Sequence, residues 1–188
     1  MTLTTLDPQT ALIVVDLQNG VAALPAAHPM DTVVTNAVAL TDAFRSHHLP
    51  VVLVTVSGGA PGRTEQAPRS IGSLPPGWAD LIPQLKQKPG DHTVVKKTWG
   101  AFTNTGLADH LARLGVTQVL VLGVATSVGV ESTARQAHEH GFNVTLAVDA
   151  MTDMNADAHD NSVARIFPRL GETGTAGDII NLLAATRA

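Results

Sequence analysis

The chain has 188 residues, of which 44% are hydrophobic and 15% charged, and its formal net charge is −4. This length and composition predict a single globular domain over residues 1–188 and exclude a disordered chain. Scattered charges and an aromatic content of only 3% disfavour nucleic-acid binding. The absence of cysteine excludes disulfides and thiol catalysis.

The N-terminal segment lacks the basic start and apolar core of a secretion signal. No apolar run approaches the roughly 20 residues that a membrane-spanning helix requires. We therefore expect a cytoplasmic protein with no membrane partner.

Apolar runs alternate with amphipathic segments along the whole sequence. In chain order the pattern predicts strand 11–16, helix 33–47, strand 51–56, strand 93–96, helix 107–114, strand 119–122, helix 130–140, strand 144–148, helix 156–167, a short strand near 174–175, and helix 176–185. Continuous apolar strands between helices indicate a parallel sheet that is covered on both faces. The predicted fold is a three-layer, doubly wound, mostly parallel six-stranded α/β sheet of Rossmann-like type.

In such sheets, ligands bind at the carboxyl ends of the strands near the point where the strand order reverses. This rule selects Asp16, Ser57, Lys96, the turn 123–129 and Asp149. The Gly/Pro-rich segment 58–89 is long enough to suggest a lid or binding loop.

Asp16 ends the first strand, and Lys96 ends the third. Asp16 can be a general base or simply a turn and capping residue. Lys96 can belong to a solvated strand end, or it can favour the ionised form of Asp16 and stabilise developing negative charge.

The turn between the fourth strand and the next helix offers two hydroxyls, Thr126 and Ser127. The run ATSVG at 125–129 lacks the first glycine of a G-x-S-x-G nucleophile elbow. With no histidine partner evident, helix capping and turn hydrogen bonds are the favoured roles of both residues.

Three segments resemble the isochorismatase-like (cysteine hydrolase) superfamily. The run GVATSVGVESTA at 123–134 resembles the family's G-V-x-T-x-x-C-V-x-x-T-A turn, with Gly129 in the cysteine position. The run VDLQN at 15–19 resembles V-D-x-Q-N. The run KTWGAF at 97–102, together with the preceding Lys96, resembles K-x-x-x-S-A-F, with Gly100 in place of serine.

The resemblance implies a cis peptide between Val124 and Ala125, an oxyanion pocket lined by the amides of Ala125 and Gly129, and catalytic roles for Asp16 and Lys96. Members with cysteine act on amides through an acyl-enzyme. Isochorismatases have glycine in this position and hydrolyse a vinyl ether with the aspartate as acid/base. The resemblance thus predicts a hydrolase of a small anionic metabolite that forms no covalent intermediate. Two alternatives stay open: a catalytically inactive ligand-binding or scaffold relative, and a Ser127-dependent amidase.

Further expectations concern binding groups and partners. Arg63 can pair with a substrate carboxylate or be solvated, and Trp99 can form a pocket wall or belong to the core. Related nicotinamidases bind metal through Asp-x-His after the second strand, where this chain has Ser57-Gly58-Gly59, so no metal and no cofactor are expected. His159 matches a frequent family position that we expect to be structural. The family also implies a homodimer or larger homo-oligomer.

Overall fold

The structure is a computed structural model that describes residues 3–65 and 74–186. Its six strands are β1 (Thr10–Val15), β2 (Val51–Val56), β3 (His92–Lys96), β4 (Gln118–Val124), β5 (Asn143–Thr152) and β6 (Glu172–Gly174). Its α-helices are α1 (Asn19–Ala22), α2 (Met30–Ser46), α3 (Leu107–Arg113), α4 (Glu131–Glu139), α5 (Ala156–Asn161) and α6 (Ala176–Thr186). None of these helices is long and apolar enough to cross a membrane.

The strands form one parallel sheet in the order β3-β2-β1-β4-β5-β6. The predicted fold class is therefore confirmed. The strand order reverses between β1 and β4, so the carboxyl ends of these two neighbours form the switch point. The residues that follow β1 and β4 consequently meet at the same edge of the sheet.

Hydrophobic packing covers both faces of the sheet. Leu12 and Val14 of β1 pack with α2 and α6 on one face, whereas Ala11, Ile13 and Val15 pack with α3 and α4 on the other. All six residues of β1 are buried, which explains why Ala11 to Val15 form a continuous apolar run rather than an alternating one.

The fifth strand is longer than the β-branched run predicts, because pairing with β4 resumes after a register shift, and Met151 and Thr152 lie beside Gly123 and Val124. The expectation that Asp149 marks a strand end is therefore wrong. Asp149 lies within β5, and its Oδ1 accepts a hydrogen bond from the backbone N–H of Ala176 at the start of α6. Asp153 stands at the strand end instead.

Two other segments differ from the prediction. The region predicted as one helix over 156–167 is divided into α5 and a π-helical turn at Ser162–Ile166. A 3₁₀ turn at Phe167–Arg169, which contains Pro168, follows. The predicted loop 58–89 contains a 3₁₀ turn at Pro83–Leu85. Residues 66–73 of that loop lie outside the described residues.

Candidate active site

Asp16 immediately follows β1 and has a left-handed backbone conformation, with φ of 52°. Few non-glycine residues adopt this conformation, and aspartate is among those that tolerate it best. The backbone N–H of Asp16 still donates to the Val54 carbonyl of β2 at 2.9 Å. The chain therefore leaves the sheet abruptly at Asp16, and the carboxylate lies at the switch point.

Lys96 ends β3, two strands away from β1, and its side chain is buried. Its Nζ donates to Asp16 Oδ2 at 2.7 Å and to the Thr98 carbonyl at 3.3 Å. The side chains of Lys96 and Asp16 are only 2% and 8% exposed, so the pair is shielded from water. Buried charges of this kind need partners, and each supplies one to the other.

The other carboxylate oxygen of Asp16, Oδ1, differs in its surroundings from Oδ2, which accepts the hydrogen bond of Lys96. Oδ1 is buried and has no hydrogen-bond partner within residues 3–65 and 74–186. Burial raises the pKa of the Asp16 carboxyl to about 6, even though the charge and hydrogen bond of Lys96 act to lower it. Near neutral pH this carboxyl group can therefore both donate and accept a proton.

Gly123 lets the turn after β4 approach Asp16. It has φ of 122°, pairs with Val15, and a Cβ at this position would overlap the Val15 carbonyl oxygen. Only glycine permits both this conformation and this close backbone contact. The next peptide bond, between Val124 and Ala125, is cis, as the resemblance implies.

The turn Thr126–Val130 leads directly into α4 and places Gly129 beside the Asp16 carboxylate. A Cβ at Gly129 would lie 3.0 Å from Val15 Cγ1 and 3.2 Å from Asp16 Oδ2. A side chain at position 129 would consequently start next to the Asp16–Lys96 pair.

The hydroxyls of the turn face partners other than Asp16. Ser127 donates from both its backbone N–H and its Oγ to Asp153 Oδ2, each at 2.8 Å. Thr126 Oγ1 lies 2.8 Å from His159 Nδ1. Sequence reasoning found no histidine partner for either hydroxyl, because α5 meets the turn only through the fold.

The remaining candidates, Trp99 and Arg63, are exposed. Trp99 is 63% exposed, which excludes the core alternative, and its role as a pocket wall stays a prediction. Arg63 is also exposed, in the irregular segment after β2. Within the described residues, no hydrogen bond joins either side chain to Asp16 or Lys96.

Comparison with known proteins decides the family. The model of the isochorismatase domain matches residues 10–178. The chain belongs to the isochorismatase family.

The isochorismatase family protein YecD of Escherichia coli O157:H7 is 38% identical over 182 residues, covering 93% of this chain and 96% of YecD. YwoC of Bacillus subtilis, also an isochorismatase family protein, is 36% identical over 181 residues, covering 92% and 93% of the two chains. The structure of an isochorismatase family protein from Burkholderia thailandensis has a TM-score of 0.91 and 39% identity, with 96% and 98% of the chains covered. The chain is thus a hydrolase of this family.

Two residues that contact the turn, Asp153 and His159, were assigned no functional role from the sequence. Asp153 is the last residue of the run DAMTD at 149–153. His159 was expected to be structural. Both are buried, and the signal that could have found them is the polar character of buried positions close to a strand end.

Proposed function

We propose that this isochorismatase-family hydrolase cleaves a small anionic metabolite without a covalent enzyme intermediate. Asp16 transfers the proton, Lys96 holds and polarises the carboxylate, and the amides of Ala125 and Gly129 bind the negative charge of the anionic substrate. The observation that carries the proposal is the buried, unpartnered Oδ1 of Asp16, with a pKa raised to about 6, beside a residue that has no side chain.

A vinyl ether is the bond that best suits this arrangement. Asp16 Oδ1 would deliver its proton to the terminal alkene carbon, and the positive charge that forms on the ether carbon would be delocalised onto the ether oxygen. Water would then add to that carbon and return a proton to Asp16. Collapse of the resulting hemiketal would give a ketone and an alcohol, so no step requires a nucleophilic side chain.

The contacts of the turn support this route over acyl transfer. An acyl-enzyme needs an activated nucleophile, and position 129 has none. Ser127 Oγ donates to the carboxylate of Asp153 rather than to a histidine, so this contact gives the Ser127-dependent amidase no imidazole base.

The test is a panel of small carboxylate-bearing vinyl ethers, amides and esters, assayed in D₂O with wild type and Asp16→Asn. We expect turnover of a vinyl ether, one deuterium in the methyl group of the ketone product, and a loss of kcat/KM of about 10²- to 10⁴-fold in the variant. Incubation of the ketone alone in D₂O corrects for solvent exchange. Amide turnover that survives Asp16→Asn and is blocked by a serine-directed phosphonate would contradict the proposal.

A further inference from the structure

The turn beside Asp16 is attached to the segment that follows β5 through two side chains. Asp153 Oδ2 accepts both the backbone N–H and the hydroxyl of Ser127, while its Oδ1 accepts the N–H of Asn155 at 3.1 Å. His159 of α5 contacts the hydroxyl of Thr126. The two contacts hold consecutive residues of the turn.

The contact between Thr126 and His159 is buried, and those between Ser127 and Asp153 are partly buried. Thr126 is fully buried, and Asp153 and His159 are 4% and 8% exposed. A hydrogen bond between buried groups is costly to break, because the partner left behind loses part of its compensation for desolvation. We therefore expect the hydrogen bonds from Asp153 and His159 to hold the turn more rigidly than surface contacts would.

The same region is tied to the chain that follows Asp16. The backbone N–H of Ala27 donates to the Asp153 carbonyl at 2.7 Å, and that of His28 donates to Thr152 Oγ1 at 3.1 Å. The ring of His28 also lies against the ring of His159, with centroids 4.5 Å apart. The segment that follows β5 thus contacts both the turn and the loop between α1 and α2.

From this geometry we infer that Asp153 and His159 are positioning residues. Asp153 acts through Ser127 and His159 through Thr126, and together they fix the turn Thr126–Val130, which contains Gly129, relative to Asp16. Neither has a hydrogen bond to Asp16 or Lys96 within the described residues, so each acts through the turn. The kinetic part of this inference rests on the proposed function. The structural part does not.

The test combines two readouts on four variants: Thr126→Val, its conservative partner Thr126→Ser, Asp153→Ala and its conservative partner Asp153→Asn. Thr41→Val is the matched control, because Thr41 is equally buried and its hydroxyl donates to a carbonyl within α2. The first readout is the chemical shift and hydrogen exchange of the Gly129 amide by ¹H–¹⁵N NMR, which needs no substrate. The second is kcat and KM for the substrate found in the panel.

We expect Thr126→Val and Asp153→Ala to shift the Gly129 resonance and speed its exchange, and to lower kcat about 10- to 100-fold with KM changed less than threefold. The conservative variants should recover most of kcat, and Thr41→Val should leave both readouts at wild-type values. Thr126→Val combined with His159→Phe should lose no more than the single variants, because both remove the same contact.

A Gly129 amide that stays unmoved in Thr126→Val and Asp153→Ala, or a kcat loss no larger than that of Thr41→Val, would overturn the inference. If Asp16→Asn keeps full turnover while the Gly129 amide still responds to these variants and kcat still falls with them, the proposed proton transfer is wrong and the positioning role stands.

Discussion

At the scale of single residues, the Asp16 carboxyl group is balanced between two opposing influences. Burial favours its neutral form, and the Lys96 ammonium favours its ionised form. Because burial is the larger influence, the pKa lies near the pH at which a proton donor of this kind is useful. Asp16 and Lys96 were both predicted from strand-end position, whereas this balance depends on burial that the sequence does not display.

Replacing Lys96 with an uncharged residue should raise the pKa of Asp16. In Lys96→Met the carboxylate loses the charge that lowers its pKa, so the pH midpoint controlled by Asp16 should rise above that of the wild type. We also expect kcat/KM at the optimum to fall by about 10²-fold or more, since charge stabilisation is lost. The pH dependence of kcat/KM measures both effects.

Lys97→Met is the matched control, because Lys97 is the exposed neighbour in the same sequence run. It should keep the wild-type midpoint. A midpoint that is unchanged in Lys96→Met, or one that moves equally in the two variants, would show that Lys96 does not act on Asp16.

Gly129→Cys restores the side chain that the family's amide hydrolases use. The new Cβ would lie within 3.0 to 3.4 Å of Val15 Cγ1, Asp16 Oδ2 and the Val124 carbonyl oxygen, so these neighbours must shift to accommodate it. Since the natural chain has no cysteine, the thiol would be unique. We expect faster alkylation by iodoacetamide at pH 6 than for Gly90→Cys, because Lys96 and the start of the helix stabilise a thiolate.

Position 90 is a suitable control, because a Cβ there meets nothing within 4 Å. If the two cysteines are alkylated at equal rates in folded protein, the side chain at position 129 does not lie close to the Asp16–Lys96 pair.

At the scale of elements, side-chain packing explains why this chain has Gly100 where the family motif K-x-x-x-S-A-F has serine. A Cβ at Gly100 would overlap the amide of Gln136, a residue of α4. That amide accepts a hydrogen bond from the Phe102 N–H at 3.0 Å and donates one to Thr103 Oγ1 at 2.7 Å. The segment after β3 is thus fixed to α4 through Gln136, and a side chain at position 100 would displace the Gln136 amide.

Gly100→Ser should therefore destabilise the protein by about 1–3 kcal/mol, because Gln136 must move and leave the Phe102 N–H without its partner. Denaturant unfolding measures the loss, and Gly90→Ser should change the free energy of unfolding by less than about 0.5 kcal/mol. Equal stability of the two variants would contradict this explanation.

The local sequence did not predict where β5 ends or which residues of distant elements come into contact. The β-branched run 144–148 predicts a short strand, yet pairing with β4 extends β5 to Thr152 and moves the strand end from Asp149 to Asp153. Similarly, the contact between Thr126 and His159 joins residues 33 positions apart. Both depend on which elements become neighbours, and the single sequence does not encode that locally.

At the scale of the whole molecule, the alternation of apolar runs and amphipathic segments was sufficient to predict the parallel sheet. It was also sufficient to bring Asp16, Lys96 and the Gly129 turn to one edge, because parallel strands all end on the same side. It left open whether Trp99 forms a pocket wall or belongs to the core, because the 63% exposure of this residue depends on how the segment after β3 leaves the sheet.

The state of assembly stays a prediction. The family resemblance implies a closed homo-oligomer, so we expect light scattering at micromolar concentration to give at least twice the chain mass of 19.5 kDa. An active species at the mass of one chain would contradict it.

The most direct test of the account is the pH profile of kcat/KM for the substrate identified in the panel. If Asp16 must carry a proton when the reaction begins, kcat/KM should be highest below pH 6 and fall as the pH rises, with a midpoint near the Asp16 pKa of about 6. A profile that rises through this range would show that the ionised carboxylate is the active form, and a flat profile would show that Asp16 transfers no proton. Either result would contradict the proposed acid role of Asp16.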